Sequence, residues 1–164
     1  MIIRTLEPQE VSFHRELRIR VLRDSPDSFR ETASEAEARP RSYWEDLTRS
    51  VTEPNRHVMF LAFEGDTIVG TTYGLLDHER NDAGRVGGMW VAPSQRRRGV
   101  GRALLAAVLV WARERGLKRV GLWAPVSEPA ALALYSRAGF KGTGRQRPMP
   151  GNADLQISEM EIEL

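Results

Sequence analysis

Apolar and polar positions along this chain follow two periods, and the change from one to the other divides it into elements. Ile2–Leu6 reads as a short strand. From Val11 to Arg23 the residues Phe13, Leu17, Val21 and Leu22 recur on one helical face, and Ser25-Pro26-Asp27 ends that helix. Residues 25–40 are polar apart from Phe29 and read as a loop holding a short helix. Pro40 opens a second helix over Arg41–Arg49, carrying Tyr43, Trp44 and Leu47. Val58–Phe63 and Thr67–Leu76 are β-rich and joined by Glu64-Gly65-Asp66, the pattern of a hairpin. A charged loop, Asp77–Gly84, leads into a strand over Arg85–Val91, stopped by Pro93.

The pattern then changes. Gly101–Arg115 is a strong helix, nearly all apolar from Ala103 to Ala112, with Gly116 placed for a left-handed cap. Arg119–Trp123 is a short strand. A helix spans Pro129–Ala138, with proline in its first turn and Gly139 at its end. Lys141–Gln146 and Leu155–Leu164 are the last strands. Hairpins first, then strand–helix–strand, imply an α/β (α+β) fold: a mixed sheet with helices on both faces. There is no repeat, low-complexity tract or linker, so residues 1–164 read as one domain.

Composition narrows the classes. No cysteine is present, which excludes a disulfide scaffold, a cysteine-ligated zinc site and a thiol nucleophile. His14, His57 and His78 lack metal-ligand spacing and read as surface or partly packed residues, so no metal is expected. The longest apolar run, Ala103–Ala112, is far short of the roughly 20 residues that span a bilayer. Arg4 and Glu7 interrupt the first apolar residues, unlike a signal sequence. A cytoplasmic protein without membrane contact is the expectation. The net charge is only +2, yet the pI is 9.4. Arginine does not titrate in this range, so a small surplus carries the pI far upward. The location of that surplus matters more than its size, and Arg96, Arg97, Arg98 and Arg102 form one cluster.

That cluster lies in Met89-Trp90-Val91-Ala92-Pro93-Ser94-Gln95-Arg96-Arg97-Arg98-Gly99-Val100-Gly101-Arg102-Ala103. A strand ends, a basic loop with glycines follows, and a helix begins. N–H groups at a helix start are unpaired and sit at the positive end of the dipole. Gly99 and Gly101 remove side chains that would keep an anion from those groups. Arginines add charge-assisted hydrogen bonds. The segment therefore suits a phosphate or diphosphate. A Walker A loop fails, because Arg102-Ala103 stands where Lys-Ser/Thr is needed. A Rossmann fingerprint from Gly99 fails at Leu104.

The spacing that fits is Arg-x-x-Gly-x-Gly, from Arg96 to Gly101. Preceded by Met-Trp-Val-Ala-Pro and followed by an Ala/Leu-rich helix, it resembles the acetyl-CoA loop of the GCN5-related N-acetyltransferase (GNAT) superfamily. Leu134-Tyr135-Ser136-Arg137-Ala138-Gly139-Phe140 resembles the family's Leu-Tyr-x-x-x-Gly-Phe helix at the family's usual distance. Asp24-Ser25-Pro26-Asp27-Ser28-Phe29 is similar to a stretch of small bacterial members, and the order of elements agrees over nearly the whole chain. The resemblance implies a mostly antiparallel sheet of six to seven strands.

It also implies a mechanism: acetyl-CoA as donor, a primary amine as acceptor, and direct attack on the thioester. The loop from Arg96 through Arg97, Arg98, Gly99, Val100 and Gly101 to Arg102 would hold the coenzyme A diphosphate, with the Arg96 side chain helping. Met89 and Val91 would line the pantetheine, and the Val91 N–H would face the thioester oxygen. In the family this strand splays from the next, here Arg119–Trp123, which frees its N–H groups. Tyr135 matches the position facing the sulfur. Two departures stand out. Glu128 replaces an asparagine common seven residues before the tyrosine, beside the coenzyme A arm. The strand Arg85–Val91 lacks the carboxylate many members use as base, leaving Asp77, His78, Glu79 or Asp82 in the preceding loop, or water.

Trp44, Trp90 and Trp123 are candidates to wall the acceptor cleft. Residues 25–45, the 77–84 loop and the 147–154 loop, made basic by Arg145 and Arg147, are expected to contact the acceptor. The acceptor itself is not legible. Homodimers are common in the family, but no interface is legible here. A non-catalytic acetyl-CoA sensor is the alternative. Nucleic-acid binding through Arg96–Arg102 ranks last, because no recognised motif is present and acids nearly balance bases.

Overall fold

Seven strands and five helices form in the order β1 (Ile2–Thr5), α1 (Val11–Asp24), α2 (Ala33–Ala38), α3 (Arg41–Val51), β2 (His57–Glu64), β3 (Thr67–Leu76), β4 (Ala83–Val91), α4 (Val100–Glu114), β5 (Arg119–Pro125), α5 (Pro129–Arg137), β6 (Lys141–Met149) and β7 (Asn152–Glu163). The computed structural model describes all of Met1–Leu164. The strands make one sheet, β1-β2-β3-β4-β5-β7-β6, antiparallel except for the β4–β5 pair. That parallel pair needs a crossover, which α4 supplies. No helix is long and apolar enough to cross a membrane.

Two layers of helix cover the sheet. On one face α4 buries Leu104, Leu105, Val108, Leu109, Trp111 and Ala112 against Val86, Val120 and Leu122, joined by Tyr135 and Phe140 from the α5 region. Each large side chain so buried contributes roughly 1.5–3 kcal/mol. On the other face α1 packs Leu17 and Val21 on Met59, Leu61, Ile68 and Trp90, while Trp44 of α3 closes on Ile19, Leu22 and Ala36. His14 is buried rather than at the surface, with its Nδ1 2.9 Å from Thr48 Oγ1. Burial first, and then Arg18, push its pKa down to about 4, so it is neutral at pH 7.

Some boundaries differ from the sequence pattern. β4 begins at Ala83, and β6 and β7 extend to Met149 and Asn152, so the 147–154 loop is a tight hairpin end. Cross-strand pairs such as Arg147–Ile157 and Pro148–Gln156 hold this polar segment extended. The short helix within 25–40 is α2, whose Thr32-x-x-Glu35 capping box was its sequence signal.

One irregularity positions the site. β4 pairs with β5 only from Ala83–Arg119 to Val86–Leu122. Beyond that, two β4 residues, Gly88 and Met89, stand opposite one β3 residue, Thr72. Gly88 takes φ +59° in this bulge, a conformation that favours glycine. β4 therefore turns away while β5 stays on β7 as far as Pro125–Ile157. The two strands part in a V whose open end faces the start of α4.

Candidate active site

The start of α4 carries an unusual set of free donors. Ala103 N–H donates to Gly99 O, the first bond of the helix. The six preceding amides, Arg97 to Arg102, donate to no protein acceptor, and no side chain caps the helix. Arg97 (φ 63°) and Gly99 (φ 87°) are both left-handed, so the loop changes hand within three residues. Such reversals turn successive N–H groups into one concavity, a nest for anions. A Cβ at Gly99 would meet nothing within 4 Å, so glycine serves conformation there. Gly101 serves packing: a Cβ would lie 3.1 Å from Leu134 and 3.6 Å from Val91. This corrects the expectation that Gly101, which is buried, clears space for the anion.

Val91 borders the nest. Ala92 N–H donates to Val69 O, so by antiparallel alternation the Val91 N–H points away from β3 and into the gap left by β5. Met89 and Val91 face α4 beside Gly101, whereas Trp90 points to the opposite face. Tyr135 of α5 is buried at 7% exposure, next to Phe140. Its hydroxyl has no protein partner yet is not sealed, since it is missing among the unpaired atoms shut off from solvent. Burial pushes its pKa up to about 12, so it stays protonated at neutral pH and keeps a proton to donate.

The Arg96 side chain is committed elsewhere. Its Nε donates to Val91 O at 3.1 Å, and its Nη2 donates to Asp24 Oδ2 at 2.9 Å. Asp24 Oδ2 also accepts from Trp90 Nε1 at 2.8 Å and from Ser25 Oγ at 2.9 Å. This clamp ties the end of α1 to the end of β4 and to the loop. Asp24 lay within a stretch quoted from the sequence, but its partners, 66 and 72 residues away, leave no local signal. Arg97 and Arg102 make no hydrogen bond or ion pair, and Arg98 donates to Gln95 at 2.8 Å. Glu128 is the exposed residue preceding α5, and its side chain does not cap it.

The acetyltransferase (GNAT) family model matches residues 19–140, most of the chain, including Val91, the loop from Arg96 to Arg102 and Tyr135. The chain belongs to the GNAT family. Mycothiol acetyltransferase of Salinispora tropica is 33% identical over 128 residues, covering 76% of this chain and 39% of that protein. The chain thus spans about two fifths of the length of that relative. Among solved structures, a GNAT-family acetyltransferase from Streptococcus pneumoniae superposes with a TM-score of 0.80 at 20% identity, covering 99% of both chains. The structure of yncA from Salmonella typhimurium, with its cofactor acetyl-CoA, gives 0.79 at 16% identity, covering 100% of this chain and 94% of that one. At those identities the likeness is one of fold.

The GNAT frame relocates other expected residues. The 77–84 loop lies at the start of β4, and Val91 at its end, about 25 Å away at roughly 3.3 Å per residue. Asp77, His78, Glu79 and Asp82 are therefore remote from the V. Asp77 is buried and bound by Arg85 at 2.8 Å. Burial pulls its pKa up, but the Glu79 amide, Arg85 and Arg80 outweigh this and hold it below the usual range. Trp44 is buried between α1 and α3, against His14 and Tyr43, and lines only a depression beside Val11, Arg15 and Arg41, not the V. Trp90 is buried under α1 and fixed by Asp24.

Trp123 lies nearer the V. It follows Leu122, the last β5 residue paired with β4, and sits on the face opposite α4. The Tyr73 ring lies on the β4 bulge, where a Cβ at Gly87 would be 2.4 Å from its Cζ. The tip of the β6–β7 hairpin reaches Arg30, since a Cβ on Gly151 would be 2.7 Å from Arg30 Cγ. The hairpin tip and the segment after α1 therefore touch at Gly151 and Arg30.

Proposed function

We propose that this GNAT protein catalyses N-acetylation: a primary amine attacks the thioester of acetyl-CoA directly. The observation that carries this is the run of six unpartnered amides, Arg97 to Arg102, beside a splayed strand and a buried tyrosine. Acetyl-CoA supplies the activated acyl carbon and a thiolate leaving group. The amides hold its diphosphate, with Arg97, Arg98 and Arg102 adding charge; Arg96 acts as a strut for the loop. The pantetheine lies along Met89–Val91. The Val91 N–H donates to the carbonyl oxygen as negative charge develops there. Tyr135 donates to the sulfur as it departs. No cysteine exists to form an acyl-enzyme, so transfer occurs in one displacement. Of the bases considered from the sequence only water remains, and we assign it the amine's proton.

Coenzyme A release measured with a thiol reagent suits this protein, which has no cysteine background. Tyr135→Phe lowers kcat about 100-fold with little change in acetyl-CoA affinity, within the usual range for a lost general acid. Equal kcat for the variant removes Tyr135 from the chemistry. With water as proton acceptor, kcat/KM rises about tenfold per pH unit up to the acceptor's own pKa. A plateau below pH 7 would instead reveal a side-chain base. No release with any amine, despite tight acetyl-CoA binding, would favour a sensor.

A further inference from the structure

The sheet face beyond the V is not covered by a helix and carries a lattice of charges. Arg85 lies 3.5 Å from Glu159, and Arg145 lies 3.4 Å from it. Thr143 Oγ1 donates to the same carboxylate at 2.9 Å. Arg80 and Arg119 both meet Glu161. Glu159 is 4% exposed. Glu159 and Glu161 are therefore already matched by arginines and are not free for a cationic substrate, while Glu163 of the same face lies opposite Arg119, at the end of β5 away from the V.

At the V end of this face an arginine is left without an acidic partner. Arg147 makes no ion pair or hydrogen bond, and its guanidinium carbon sits 4.3 Å from the Trp123 ring centroid. Arg145 lies 5.8 Å from the same ring. Trp123 is the first β5 residue past the splay, so this stack borders the mouth of the V. Arg30 lies against Gly151 at the hairpin tip, within electrostatic reach of Glu35. A guanidinium resting on an indole has lost mobility yet keeps its in-plane donors, the geometry a carboxylate takes in two parallel hydrogen bonds.

We propose that Arg147, seated on Trp123, binds a carboxylate carried by the amine acceptor, so that the substrate class is a small amino acid and not a polycation. This rests on the transferase reading above. The amine then points toward Val91 while its acidic group is held at β6, and the unpaired charge of Arg147 repels polyamines from the same mouth.

The test compares L-glutamate and L-methionine with their α-amides and with spermidine, following coenzyme A release. The acids show kcat/KM about tenfold or more above the amides, as one charge-assisted contact allows. Arg147→Gln brings that ratio close to one, chiefly through acceptor KM, while KM for acetyl-CoA holds. Arg147→Lys restores part of the ratio, because the charge returns without the planar fork. Calorimetric titration of L-glutamate into the coenzyme A complex shows the same loss on Arg147→Gln. A preference for amides or spermidine, an unchanged ratio in Arg147→Gln, or no turnover of any acid overturns the proposal. Acetyl-CoA that fails to bind in calorimetry overturns the transferase reading instead, so the two failures are distinguishable.

Discussion

Helices α2 and α4 begin in opposite ways. α2 closes its own start: Thr32 Oγ1 accepts from the Glu35 amide at 3.2 Å, and the Glu35 carboxylate accepts from the Thr32 amide at 2.8 Å. The Thr32 amide and hydroxyl together hold the Glu35 carboxyl below its ordinary pKa. α4 has no such cap and leaves six amides unpaired. The difference follows from length and burial. α2 has six residues and buries one, Ala36, so it depends on local bonds. α4 has fifteen and buries eight, so packing holds it and its start is left open to a ligand.

An open start still needs a frame, and the Asp24 clamp supplies it from 72 residues away. Asp24→Ala has the largest expected effect. It leaves the buried Trp90 N–H without an acceptor and frees Arg96, lowering unfolding free energy by about 2 kcal/mol. Urea denaturation measures this, and acetyl-CoA affinity falls with it as the loop loosens. If stability falls but donor affinity stays at the parent value, the clamp does not order the nest. The corresponding loss for α2 is local and smaller, which is the contrast to be tested.

The clamp also marks where sequence reading stops. Periodicity and caps locate nearly every element, because they are short-range properties of the chain. The loop from Arg96 to Gly101 and the helix around Tyr135 stand out because their function needs backbone and residue types within a short span. Arg96 looks like a phosphate ligand for the same reason; only the fold brings Asp24 to it. Trp44 and Trp123 are alike as letters, and helix packing makes one core while sheet register sets the other just past the splay of β4 and β5. The remoteness of Asp77–Gly84 was implicit in the length of the strand that follows it. The short helix at Ala33 was legible in Thr32-x-x-Glu35.

Putting charge on the open start sharpens the comparison. Asn and Asp both tolerate the left-handed region, and the space beside Gly99 is empty. Gly99→Asn carries the conformational cost alone. Gly99→Asp adds a negative charge next to a site for a diphosphate, although the same charge would stabilise a bare helix start. At about 1 kcal/mol for each charge pair near 4 Å in water, acetyl-CoA binds roughly 30-fold more weakly to Gly99→Asp than to Gly99→Asn. Equal affinities in calorimetry would mean that no anion sits at these amides.

A smaller effect separates the amides from the side chains. Arg97 and Arg102 have no protein partner, so the double change to glutamine removes charge without breaking a contact. Acetyl-CoA affinity falls about tenfold at low ionic strength and about threefold near 0.5 M salt, because exposed charges are screened. A loss that does not change with salt would assign the two arginines a structural role in the loop.

The smallest expected effect belongs to the closed start. Thr32→Ala removes the hydroxyl acceptor of the capping box and lowers stability by about 1 kcal/mol, as caps generally do. Donor affinity is unchanged, because α2 packs through Ala36 on α1 and α3 and not on the nest or the strand that lines it. The pairing of Thr32→Ala with Gly99→Asp thus forms a crossed test. The first shifts the urea midpoint and leaves acetyl-CoA binding alone, while the second weakens binding with a smaller share of its effect in stability. If Thr32→Ala weakened acetyl-CoA binding as much as Gly99→Asp does, the two helix starts would be coupled through the segment 25–32, and the division between a self-capped helix and a ligand-capped one would fail.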